Sequence, residues 1–166
     1  MRTLRFLTLA LALASCGFRP MYEKNLYNDL DVETSRIAIA PVSGYDGVTG
    51  VNLRNSLLGK LTPHGKPENP KYTLSIKMNE PSIQDYTIKN DGTASSYLVT
   101  INASYSLAAN SDRRILLSKS SSASMSYNIL KDQYSTEMLK SNTIKLVVES
   151  ISEDIYMHII SFFTER

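Results

Sequence analysis

Between Lys71 and Asn128 the chain alternates apolar and polar residues with a period of two, and no other feature narrows its fold as much. Tyr72, Leu74, Ile76 and Met78 alternate with Thr73, Ser75, Lys77 and Asn79. Successive side chains of a strand point to opposite faces, so such a run builds a sheet with one apolar and one polar side. Pro81 interrupts or bulges this strand before residues 83–88 resume it, and Lys89-Asn90-Asp91-Gly92 supplies the residues that tolerate positive φ in a hairpin turn. Tyr97, Val99, Ile101, Ala103, Tyr105 and Leu107 then alternate with Ser96, Leu98, Thr100, Asn102, Ser104 and Ser106. After a turn at Asn110-Ser111-Asp112, a last strand sets Ile115, Leu117, Ala123, Met125 and Tyr127 against Ser118, Ser120, Ser122, Ser124 and Ser126. Two hairpins in series make an antiparallel meander.

The flanking segments change period. Ile37, Ile39 and Val42 bracket a short strand stopped near Pro41. Beyond a loop with Gly44, Gly47 and Gly50 come Leu53, Leu57, Leu58 and Leu61 at helical spacing. The three glycines match neither the dinucleotide fingerprint nor the phosphate-loop pattern, so a tight strand-to-helix turn is expected there. A long helix is expected from about residue 132 to 163, its stripe formed by Ile144, Val148, Ile151, Ile155, Ile159 and Phe162. The last turns, 156–163, are apolar nearly all round, which suits either burial within the domain or a partner surface. The expected fold class is α+β: two layers, with two helices packed on one face of a four-stranded, mostly antiparallel sheet.

The N-terminus reads differently. Arg2 and Arg5 precede an apolar run from Phe6 to Ala14, and the chain's single cysteine follows in Leu13-Ala14-Ser15-Cys16. The run is far short of the roughly 20 residues that span a bilayer, and its layout is that of a secretory signal. Leu-Ala-Ser-Cys resembles the bacterial lipobox, in which the cysteine receives a diacylglycerol and, after cleavage, an N-acyl group. Several acyl chains give stable anchoring, since each buried methylene is worth about 0.8 kcal/mol. Residues 1–15 are therefore read as a lipoprotein signal peptide, 16–34 as a lipidated tether and 35–166 as one α+β domain. Gly17, a non-acidic residue after the cysteine, directs such lipoproteins to the outer membrane.

Arg2 and Arg5 account for the whole formal excess of two positive charges, so the chain from Cys16 onward is formally neutral. Nucleic acid is a poor partner for it, because phosphate binding needs a clustered positive field; anion recognition must be local. His64 and His158 have no Cys or His neighbour at zinc-ligand spacing. No Gly-x-Ser-x-Gly elbow and no paired carboxylates stand out, so no enzyme and no cofactor are expected. What does stand out is the polar side of the sheet. A wet antiparallel face normally carries Lys, Glu and Thr, yet Ser96, Thr100, Asn102, Ser104, Ser106, Ser120, Ser122 and Ser124 offer almost nothing but small hydroxyls and an amide. Such a face either presses against another polar wall or is an ordinary wet surface of serine-rich composition.

The lipobox followed by Cys16-Gly17-Phe18-Arg19-Pro20-Met21-Tyr22, the helix residues Leu53-Arg54-Asn55-Ser56-Leu57, the hairpin Lys89-Asn90-Asp91-Gly92-Thr93-Ala94-Ser95-Ser96-Tyr97 and the strand end Ser126-Tyr127-Asn128 together resemble the LPS-assembly lipoprotein LptE family. The likeness spans essentially all of the chain after the signal, departing in an extra hairpin residue and in ending near the last helix. It implies a plug inside the β-barrel LptD, which assembles lipopolysaccharide at the cell surface, and it favours the polar-wall reading because the lumen of a large barrel is polar. It further implies lipopolysaccharide binding by a basic residue at the hairpin tip. Lys89 holds that position, with Lys131 and Lys140 as further candidates; a turn lysine without ligand is the plainer reading of Lys89. The competing function is a lipid-anchored accessory subunit of an envelope phospholipid transporter.

Overall fold

A computed structural model describes residues 33–165, apart from 46 and 91. The signal peptide, the lipobox at Cys16 and the tether as far as residue 32 lie outside the described residues. Glu33 and Thr34, assigned to the tether by sequence, already belong to the folded part: Thr34 is buried, and the Glu33 carboxylate accepts a hydrogen bond from the Tyr72 hydroxyl at 3.0 Å.

The elements are β1 (Ile37–Ile39), β2 (Ser43–Gly44), α1 (Val48–Leu61), β3 (Tyr72–Met78), β4 (Ser82–Ile88), β5 (Ala94–Ala109), β6 (Ile115–Asn128) and α2 (Gln133–Thr164). The long strand β5 organises the sheet. β6 lies antiparallel along one edge, from Ser96 opposite Asn128 to Leu107 opposite Leu117. β3 and β4 follow one another along the other edge, β3 opposite Ala103 to Ala109 and β4 opposite Ala94 to Thr100. β1 and β2 both pair with β3, in parallel.

The expected four-stranded, mostly antiparallel sheet is thus corrected to a mixed sheet of six strands among the described residues. Four ranks do cross the sheet, but two are broken. Pro81 separates β3 from β4 and Pro41 separates β1 from β2, because a proline has no N–H for the ladder. The parallel pairing arises because α1 intervenes between β2 and β3 and carries the chain back across the sheet, as parallel neighbours require.

Both helices cover one face. Leu53, Leu57 and Leu61 of α1 and Val147, Val148, Ile151, Ile155 and Ile159 of α2 are buried against Leu74, Ile76, Met78, Val99, Ile101 and Leu107 of the sheet. Each such aliphatic side chain contributes about 1.5–3 kcal/mol by leaving water. Where the helices meet, the Ser56 hydroxyl lies 2.6 Å from both Glu149 Oε2 and Ser152 Oγ, and Lys60 bridges Glu149 and Glu153 at 2.8 and 2.7 Å. α2 starts where the Asp132 carboxylate accepts the Ser135 N–H at 2.7 Å, an N-cap. Its apolar end turns inward: Phe163 meets the Tyr72 ring at 5.2 Å, edge on, and Phe162 and Tyr156 pack on the core. No helix of the described residues is long and apolar enough to cross a membrane.

The glycine loop holds more than a turn. Ser43 and Gly44 form β2, and α1 begins inside the loop at Val48. Gly44 has φ +96°, and a Cβ there would stand 2.5 Å from the Met78 carbonyl oxygen, so only glycine lets β2 lie this close to β3.

Candidate functional site

The register decides which side chains share the uncovered face of the sheet. Leu74, Ile76 and Met78 face the helices, so Ser75 and Lys77 face away from them. Their partners across β5 and β6 do the same, in rows Ser75–Ser106–Ser118 and Lys77–Ser104–Ser120. The next rows are Asn102–Ser122, Ser82–Thr100–Ser124 and Gln84–Leu98–Ser126. The expected open hydroxyl face is therefore real. Asn102, Ser104, Ser120, Ser122 and Ser124 are exposed, and Thr100 and Ser106 are half-buried. Ser96 is corrected: only 5 % of it is exposed, at the end of β5 where the pairing with β4 shifts register, so it offers nothing to a partner.

Few of these hydroxyls are tied to one another. Thr100 and Ser124 share a hydrogen bond of 2.8 Å, and Ser43 Oγ donates to the Ile76 carbonyl at 3.2 Å. Two shallow hollows mark the face. One of about 210 Å³ lies among Ser43, Ser75, Lys77, Ser104, Ser106 and Ser118. The other, of about 330 Å³, lies among Asn79, Asn102, Ser104, Ser120 and Ser122. Hydroxyls and amides both donate and accept, so such a surface can meet many polar walls and lose water at modest cost once each group finds a partner.

The three lysines gather at one end of the sheet. Lys89 is exposed at the β4–β5 turn, where its N–H bonds the Thr93 carbonyl at 2.8 Å. Lys131 is exposed in the β6–α2 connection, which is fixed to the same end by the Ile129 N–H bonding the Ser95 carbonyl. Lys140 is half-buried in the early turns of α2 and bound to Glu137 at 3.0 Å. Its place is beside Tyr127, whose hydroxyl burial raises above its ordinary value and Lys140 draws the other way. Sequence reasoning missed the apolar side chains exposed at this end, Ile88, Leu130 and Tyr134, the last at 74 %. A cleft of about 720 Å³ between Pro70–Tyr72 and the β5–β6 turn lies at the opposite end.

No family model and no curated protein matches the chain. Solved structures do. A candidate lipoprotein from Caulobacter crescentus CB15 superposes with a TM-score of 0.65 at 15 % identity, over 82 % of this chain and 96 % of that one. An uncharacterised lipoprotein B from Nitrosomonas europaea gives 0.59 at 12 % identity, over 77 % and 84 %. The rare lipoprotein B from Shewanella oneidensis gives 0.57 at 9 % identity, over 78 % and 96 %. The chain has the fold of these lipoproteins. At such identities the likeness carries the architecture alone, and residue roles rest on the geometry above.

Proposed function

We propose that this protein is a non-catalytic lipoprotein of the outer membrane, held by acyl chains on Cys16, that seats its open sheet face in the polar lumen of the LptD barrel and assists lipopolysaccharide assembly. One observation carries the reading: a broad sheet face, covered by neither of the described helices and built of Ser, Thr and Asn with almost no charge. A lumen wall of hydroxyls and amides is its natural complement, and a barrel interior is polar. The shared fold with lipoproteins supports the envelope setting, and the resemblance in sequence to the LptE family supports the choice of barrel. Lys89 and Lys131 beside exposed Ile88, Leu130 and Tyr134 suit an amphiphile with phosphates and acyl chains, so this end is assigned to lipopolysaccharide. Lys140 is a weaker ligand because Glu137 already holds it.

The test is affinity purification of the tagged full-length protein from outer membranes in mild detergent. A large β-barrel recovered in equal amount is expected. Recovery of the lipoprotein alone overturns the reading, and recovery of transporter subunits instead would favour phospholipid trafficking.

A further inference from the structure

We infer that the surface meeting the open face carries a single acidic side chain placed against Lys77. The inference rests on the plug reading and adds to it the chemistry of the opposing wall.

Lys77 points out of the face in the row Lys77–Ser104–Ser120, with Ser43 beside it across β2. Among the described residues it is the one ionisable side chain at the paired positions of that face. It stands exposed over the smaller hollow, and no described carboxylate forms an ion pair with it. On a free protein this costs nothing, because water solvates the ammonium. Once the face is covered, an ammonium without a counter-charge is several kcal/mol unfavourable, whereas the hydroxyls around it are satisfied by neutral groups. A wall that buries the face must therefore supply an anion at that point. One positive charge calls for one carboxylate. A phosphoglycolipid would need more than one cation and an apolar strip for its chains, and the rows on either side of Lys77 are Ser and Asn. The pairing also fixes which way the face is seated, since a slide by one row would leave both charges among hydroxyls.

Photoreactive residues are placed at Ser104 and at Ser122 of the full-length protein in the native envelope, and adducts are mapped by peptide sequencing. Complex recovery is compared for wild type, Lys77→Arg, Lys77→Met and Lys77→Glu, with urea unfolding of each as a folding control. The Ser104 adduct is expected on a barrel peptide bearing Asp or Glu near the attachment point. Recovery should be kept by Lys77→Arg, fall about tenfold or more for Lys77→Met and further for Lys77→Glu, as when one member of a buried charge pair is removed or reversed. Unfolding should not change. A barrel adduct without a nearby carboxylate, or full recovery with Lys77→Met, overturns the inference and leaves the plug intact. An adduct to glycolipid at Ser104 overturns it in favour of a phosphate. Absence of barrel adducts from both positions overturns the plug itself.

Discussion

Two glycines show how differently single positions are constrained. Gly44 combines φ +96° with a carbonyl where its Cβ would be, whereas Gly59, exposed in α1, has open space there. Gly44→Ala should therefore destabilise by about 1–3 kcal/mol, and Gly59→Ala should stabilise by about 0.5–1 kcal/mol; the midpoints of urea unfolding report both. Tyr105 carries a different constraint. It is 3 % exposed, and its hydroxyl is hydrogen-bonded to His158 Nδ1. Burial pushes this hydroxyl up to about 12, and the charge of Asp154 adds to the rise. With the folded value above the unfolded one, its contribution is whole below pH about 10 and is lost as pH rises toward the folded value. Lys60 acts in the same sense, since its hydrogen bonds to Glu149 and Glu153 raise it. Stability should fall between about pH 10 and pH 12. Tyr105→Phe should cost about 0.5–1.5 kcal/mol at neutral pH while flattening that fall. An unchanged alkaline slope would exclude Tyr105 as its source.

Among the elements, β6 is the exposed liability. Among the described residues this 14-residue strand has β5 on one side only, which leaves its outer row of N–H and C=O groups open to template another strand. Lys119 is its one charged residue and lies in mid-strand, where a charge discourages edge-to-edge association. Lys119→Ile should leave the secondary structure unchanged and produce concentration-dependent association in sedimentation velocity. The long elements were legible in the sequence because each bears its own period: the alternation of β5 and β6, the leucines of α1, the isoleucine stripe of α2. β1 was read as a short strand but its parallel pairing was not, and β2 was missed, since three and two residues hold too little pattern to settle how they pair. The open face could be read from alternation alone. Lys77 could not, because its isolation emerges only when the register lines it up with Ser104 and Ser120. Ser96 failed for a similar reason: strict alternation cannot foresee the register shift in the neighbouring strand.

Among the described residues the sheet has one dry side and one wet side, and the core lies on the dry side. A charge on the wet side should therefore disturb recognition and not folding. Ser122→Glu, exposed in β6, should shift unfolding by less than about 0.5 kcal/mol, yet reduce the barrel recovered from envelopes well below wild type. Equal loss of both would mean that the face is structural. Every buried side-chain nitrogen and oxygen among the described residues already has its hydrogen-bond partner within the chain. The described part therefore needs no outside group to satisfy its buried polar atoms, and on the plug reading folding and docking are separable events. On the plug reading, a copy made in surplus would keep that paired interior while it waits for a barrel.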